Sequence, residues 1–80
     1  MRRQLIERGW QPQPQRQQRC SVEHQTLCSR YGEASGCYGG QLTICAFVWR
    51  RQGTQYRLWA TGKSVSDLRY KGHQCEEGCG

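Results

Sequence analysis

The stretch 41-QLTICAFVW-49 is the most apolar run in the chain. It is rich in β-branched and aromatic residues, which favour a β-strand. Side chains alternate between the two faces of a strand, so we expect two sets of four: Thr43, Cys45, Phe47 and Trp49, and Leu42, Ile44, Ala46 and Val48. We therefore predict that residues 41–49 form the central strand of the fold.

The residues that follow this strand predict a hairpin. Residues 50–55 (RRQGTQ) are typical of a turn, and residues 56–60 (YRLWA) are typical of a second strand. After a further turn, residues 64–70 predict a third strand, with a helix capped by Ser66 as the alternative. We expect residues 72–80 to form a tail that closes back onto the body of the protein.

The chain before the central strand begins with a short helical segment and a linker. Residues 2–9 (RRQLIERG) can form two helical turns that end at Gly9, a length too short to be stable alone. Residues 11–18 (QPQPQRQQ) contain two prolines and no apolar side chain to bury. We predict that residues 11–18 are an extended, solvated linker.

Two further segments lie between this linker and the central strand. Cys20, His24 and Cys28 recur at every fourth residue, which would place them on one face of a short helix. Residues 29–40 contain four glycines and predict a loop with Cys37 in its middle.

These features divide the chain into a flexible basic Gln/Pro/Arg arm, residues 1–18, and a Cys-rich folded domain, residues 19–80. The predicted fold class is a small Cys-rich α+β or mainly β domain. Its centre is an antiparallel hairpin or three-stranded sheet, with a short N-terminal helix or turn. With 80 residues, of which 35% are hydrophobic, the core is thin and needs added cross-links or a metal.

The six cysteines are the candidates for those cross-links. In an oxidising environment an even number of cysteines in a small chain predicts a disulfide framework, although spacing alone leaves the pairing open. The alternative is a zinc site at His73, Cys75 and Cys79, the one group with spacing near that of structural zinc ligands. Because the chain has no C-x-x-C pair, disulfides are the main prediction and zinc the only cofactor considered. The disulfide candidates are Cys20, Cys28, Cys37, Cys45, Cys75 and Cys79.

The charge of the chain lies in two zones. The net charge is +6, and ten of the twelve cations are arginines. Residues 1–19 carry five arginines against one glutamate, and residues 49–71 carry six cations against one aspartate. Arginine presents a planar fork of donors that suits phosphate and carboxylate groups, so both zones favour an anionic partner.

No catalytic motif accompanies these cations. Gly62-Lys63-Ser64 ends like a phosphate-binding loop, but Arg57 stands where that motif needs a glycine. The paired Glu76 and Glu77 are adjacent on the tail, where nothing would hold them across a substrate. We therefore expect a protein that is not an enzyme.

The sequence also bears on compartment and membrane. No apolar run approaches the roughly 20 residues that a transmembrane helix needs. Leu5 and Ile6 are too few for the hydrophobic centre of a secretory signal, which predicts a cytoplasmic protein, or a secreted one if a leader has been removed. The oligomeric state is not determined by these features.

The basic hairpin is the predicted binding region. Cations interleaved with aromatic side chains suit nucleic acid, because guanidinium groups track phosphates while rings stack on bases. The alternative is that Trp49, Tyr56 and Trp59 form the core and the cations are a solvated edge. The predicted partner-binding residues are Arg50, Arg51, Arg57, Trp59, Lys63, Arg69 and Lys71.

Three functional hypotheses follow from these residues. The first is a non-enzymatic binding module for an anionic macromolecule, either an acidic protein surface or, preferably, nucleic acid or a nucleoprotein complex. The second is a secreted disulfide-stapled effector, such as a toxin or an inhibitor of a host protein. The third is a small viral or mobile-element inhibitor that occludes a larger protein machine.

Overall fold

The computed structural model describes residues 2–39, 41–64 and 67–79. Within these residues the chain forms two short α-helices, one 3-10 turn and six strands. The helices are α1 (Arg2–Glu7) and α2 (Gln25–Arg30), and the 3-10 turn is Val22–His24. The strands are β1 (Gln11–Pro12), β2 (Arg19–Cys20), β3 (Ala34–Tyr38), β4 (Thr43–Arg51), β5 (Thr54–Gly62) and β6 (Arg69–Glu77).

The six strands of the described residues form one sheet in the order β2-β3-β4-β5-β6, and β1 pairs with β4 beside β3. Pairing is antiparallel except between β2 and β3. The predicted fold class, a small Cys-rich α+β or mainly β domain built on an antiparallel hairpin, is confirmed. The sheet has twice the three strands that the sequence predicts.

The predicted central strand is confirmed as β4, which pairs with β5 along its whole length. The turn between them is shorter than predicted and consists of Gln52 and Gly53, both with positive φ, at 51° and 79°. A two-residue turn of this kind matches the twist of the strands that flank it. Because the turn needs only these two residues, β5 begins at Thr54 rather than at Tyr56.

The prediction of a loop over residues 29–40 is wrong for residues 34–38, which form strand β3. Cys37 lies directly opposite Cys45 on β4, and Gly36 lies opposite Arg19 on β2. A side chain at Gly36 would meet the carbonyl oxygen of Arg19 at 3.1 Å, so the glycine lets β2 approach. Pairing on both sides therefore outweighs the weak strand propensity of the glycines.

The third strand also lies later than predicted. β6 begins at Arg69 and continues through the segment predicted as a tail, pairing with β5 along most of its length. The register shifts at two places, opposite Gln55/Tyr56 and Trp59/Ala60. The alternative helix capped by Ser66 falls on a position outside the described residues.

Residues 2–18 are bound to the sheet. The helical turns predicted near the N-terminus are present as α1, and the linker is extended as predicted. None of residues 11–18 is buried, but the linker is attached to the rest of the protein, because Gln13 N donates to Val48 O at 3.0 Å and Gln15 N donates to Gly32 O at 2.9 Å. Main-chain hydrogen bonds, rather than apolar side chains, hold this segment. Flexibility of residues 1–18 stays a prediction.

The core lies on one face of the sheet, between β3, β4, β5 and α2. The predicted face of β4 with Thr43, Cys45, Phe47 and Trp49 is buried, and Trp49 is 1% exposed. Helix α2 packs Leu27 and Cys28 onto this face. The core cluster consists of Leu27, Cys28, Ala34, Cys37, Cys45, Phe47, Trp49, Leu58 and Ala60.

Three disulfides cross-link the fold, as the main prediction for the cysteines requires. Cys37–Cys45 joins β3 to β4 inside the core, Cys20–Cys28 joins the end of β2 to α2, and Cys75–Cys79 joins the last residues of β6 to the segment that follows the strand. Both Cys37 and Cys45 are 0% exposed, whereas Cys79 is exposed.

Replacement of Trp49 tests the position of the core. We expect Trp49→Ala to lower the free energy of unfolding by about 3–5 kcal/mol, because it empties the largest fully buried side-chain site. The matched control Leu42→Ala removes a side chain that is 49% exposed, and should cost less than about 0.5 kcal/mol. Urea denaturation followed by far-UV circular dichroism measures both. Equal losses would contradict the assigned core.

Stepwise reduction tests the burial of the disulfides. With increasing reductant, alkylation and peptide mass spectrometry should find Cys75 and Cys79 labelled first, because attack on a disulfide needs access to sulfur. Cys37 and Cys45 should be labelled last, together with loss of the folded state. Labelling of Cys37 and Cys45 before the others would contradict this arrangement.

Candidate functional site

The predicted binding residues do not form one patch. Arg57 and Trp59 lie on the same face of β5, opposite Val48 and Ala46 of β4, and away from the core. Arg51 lies on the opposite face, where its guanidinium carbon is 5.6 Å from the centroid of the Trp10 ring. Arg51 therefore lies on the core side of the sheet, apart from Arg57 and Trp59.

The remaining predicted cations lie at two ends of the sheet. Arg50 is next to the hairpin turn and opposite Gln55, whereas Arg69 is opposite Thr61. Six residues of one strand separate these positions, which corresponds to about 20 Å. Lys63 and Lys71 are exposed at the same end of the sheet as Arg69.

The side of the sheet opposite the core holds a groove that we call the open face. It is the surface that carries Tyr38, Ala46, Arg57 and Trp59, and its groove has a volume of about 310 Å³. Residues from the segment before β2 complete one wall. The lining residues are Gln15, Gln17, Arg19, Ser35, Gly36, Tyr38, Ala46, Arg57 and Trp59.

Small residues make the floor of this groove. Ala46 of β4 lies between Gly36 of β3 and Trp59 of β5 in the register of the sheet. The Tyr38 ring lies across Gly36, since a Cβ atom on that glycine would meet Tyr38 Cε2 and Oη at 3.3 Å. A shallow floor between two aromatic side chains results. Tyr38 is 54% exposed, and Trp59 is half-buried.

The cations of the open face differ in their partners. Arg57 donates from Nε and Nη2 to the carboxylate of Glu76, at 3.0 and 3.3 Å, and its guanidinium carbon is 5.9 Å from the Trp59 ring centroid. Arg50 Nη1 lies 4.0 Å from Glu77. Arg19 is exposed and has no ion-pair partner among the described residues. The two tail glutamates thus offset two of the predicted binding cations.

Of the residues that line the groove, Arg57 and Trp59 are among the predicted partner-binding residues, whereas Arg19 belongs only to the N-terminal basic zone. Gln15 and Tyr38 are not among the predicted residues, because Gln15 lies in the predicted linker and the glycines around Tyr38 predict a loop. The signal for Tyr38 is the alternation in 34-ASGCY-38, where Cys37 points to the core and its neighbours point away.

The alternative zinc site at His73, Cys75 and Cys79 is wrong for this structure. Cys75 and Cys79 are bonded to each other, so neither sulfur is a thiolate that could hold a metal. His73 is hydrogen bonded through Nδ1 to Tyr70 Oη. Across residues 2–39, 41–64 and 67–79, no three His, Cys, Asp or Glu side chains are grouped in a way that could hold a metal ion.

Two other titratable groups near a cavity, His24 and Glu33, make contacts with neighbouring side chains of the fold. Ser21 Oγ and His24 Nδ1 are 2.5 Å apart and close the 3-10 turn. On the core side, a wider groove of about 1030 Å³ has an apolar floor that includes Phe47. The buried Glu33 beside it is paired with Arg2 Nε at 2.8 Å.

Comparison of the chain with protein-family models, with curated proteins and with solved structures finds no match. None of the helices in the described part of the chain is long and apolar enough to cross a membrane.

Proposed function

We propose that the protein is a non-enzymatic binding module for an anionic partner, and that this partner is single-stranded nucleic acid, free or within a nucleoprotein complex. The observation that carries the proposal is the open face itself. It holds two accessible aromatic rings, Tyr38 and Trp59, and two arginines, Arg19 and Arg57, around one shallow groove.

Aromatic rings on a sheet surface suit unpaired bases. Every base has a π-face, so stacking on Tyr38 and Trp59 tolerates any sequence and contributes about 1–3 kcal/mol per base. A duplex hides those faces, which favours a single strand. Because the Tyr38 ring lies across Gly36, the small side chain of Ala46 forms the floor between Tyr38 and Trp59 and keeps the groove shallow.

The polar residues of the groove suit the rest of a nucleotide. The guanidinium groups of Arg19 and Arg57 can donate two hydrogen bonds each to a phosphate. The side-chain amides of Gln15 and Gln17 carry both donors and acceptors, which match the edges of bases. The net charge of +6 adds a long-range attraction to any polyanion, which salt would weaken.

The disulfides favour a second candidate, the secreted effector. All six cysteines are joined in disulfides, and such bonds persist in oxidising compartments. An effector of this kind would engage a protein rather than nucleic acid. Oligonucleotide binding that depends on the groove residues separates the two candidates.

Replacing the groove aromatics tests the proposal. We expect Tyr38→Ala and Trp59→Ala each to weaken binding of a fluorescent mixed-sequence single-stranded oligonucleotide by about 5- to 150-fold, through loss of one stacked base. Fluorescence anisotropy at low salt measures the affinity. Tyr70→Ala is the matched control, because Tyr70 is 48% exposed and lies outside the groove.

In the same assay, affinity of the unmodified protein should fall steeply as salt is raised. Absence of binding at low salt, or equal losses in the groove and control variants, would contradict the proposal.

Removing the carboxylate that pairs with Arg57 tests the electrostatics of the groove. We expect Glu76→Gln to strengthen oligonucleotide binding several-fold, since Arg57 no longer divides its donors between a carboxylate and a phosphate. Glu7→Gln is the matched control, because it removes the same charge from an exposed ion pair in α1. A gain of the same size in both variants, or none in Glu76→Gln, would contradict a phosphate contact at Arg57.

A further inference from the structure

Strand β6 is an edge of the sheet with one side open. Its nine residues pair with β5, and no other strand of the described residues pairs with them. Most of its side chains are exposed. An edge of this length presents a row of backbone N–H and C=O groups that can pair with another strand.

The charges of β6 are arranged with opposite signs at its two ends. Arg69 and Lys71 lie near its start, and Glu76 and Glu77 lie at its end. An antiparallel neighbour with the same sequence, centred on His73, places Arg69 of each strand opposite Glu77 of the other. The strand is therefore complementary in charge to a second copy of itself.

The faces of the sheet agree with this register. Arg69 is opposite Thr61 on β5, and Glu77 is opposite Gln55. Thr61 and Gln55 are an even number of residues apart on one strand, so the register puts Arg69 and Glu77 on the same side of the sheet, and Arg69 also borders the core-side groove at the end of β6. A twofold axis perpendicular to the sheet keeps them on that side in both copies.

The two end charges are also available for a partner. Glu77 is 70% exposed, and its contact with Arg50 is long, at 4.0 Å. Arg69 is exposed and has no ion pair with another described residue. Next to the axis, Gly72 would lie opposite Gln74, and the small glycine allows close approach of the two backbones.

We propose that β6 is a self-association surface, on which a second copy of this chain adds its own β6 in antiparallel register centred on His73. The contact is isologous, because the same strand of both copies forms it. It joins the two sheets into one and places the two open faces on the same side. This inference is independent of the proposed function.

Sedimentation equilibrium of the oxidised protein tests this surface. We expect a reversible monomer–dimer equilibrium across protein concentration. Arg69→Glu and Glu77→Arg should each weaken dimerisation about tenfold or more, because both end pairs of the dimer become like-charged. The matched control Arg16→Glu makes the same charge change at an exposed position outside β6 and should leave the dimer unchanged.

Two combinations of these variants restore opposite charges in each end pair, and so test the register itself. The double variant Arg69→Glu/Glu77→Arg should dimerise like the unmodified protein, since each pair is again of opposite sign. An equimolar mixture of the two single variants should form heterodimers for the same reason. Far-UV circular dichroism checks that each variant is folded. A protein that stays monomeric, or a dimer that neither single variant weakens, would overturn the proposal, as would failure of both restorations.

Discussion

The disulfide between Cys37 and Cys45 lies at the centre of the core and joins β3 to β4. Both residues are fully buried, in a chain whose hydrophobic content is only 35%. A cross-link of this kind stabilises chiefly by restricting the unfolded chain, typically by about 2–4 kcal/mol. For a small domain that contribution is comparable with what its hydrophobic core provides. The bond reinforces the backbone pairing that holds the glycine-containing β3 against β4.

The same bond determines which way the side chains of β3 point. Because Cys37 faces the core, Gly36 and Tyr38 face the other side of the sheet. Opposite them, Cys45 and Ala46 divide in the same way on β4, and Leu58 and Trp59 on β5. The core and the open face are thus two sides of one set of strands. Cysteines, aliphatic residues and the aromatic Phe47 and Trp49 build the first, and Tyr38, Arg57 and Trp59 lie on the second.

The parts of this structure that could be predicted are those where a local pattern coincides with the tertiary environment. The run 41–49 is apolar, β-branched and aromatic, so both β4 and the division of its side chains between two faces could be predicted. Which face forms the core could not, because both faces are apolar and Ala46 and Val48 on the second face are also buried. Local patterns mislead where long-range pairing decides the outcome. The glycines around β3 predict a loop, and residues 11–18 have no apolar side chain to bury, yet main-chain hydrogen bonds hold both segments. For the same reason only part of the groove lining could be predicted, since Arg57 and Trp59 lie on a predicted strand and Tyr38 does not.

The three tryptophans give a direct measurement of this division between the two faces. Trp49 is buried in the core cluster, Trp10 packs edge-on against Tyr56 on the core side, and Trp59 lines the groove of the open face. Their indole N–H resonances can be followed by NMR, and assigned with Trp→Phe variants, as a single-stranded oligonucleotide is added. The account predicts that the Trp59 resonance shifts while those of Trp49 and Trp10 stay in place. A spectrum in which Trp59 does not move, or in which all three move together, would contradict it.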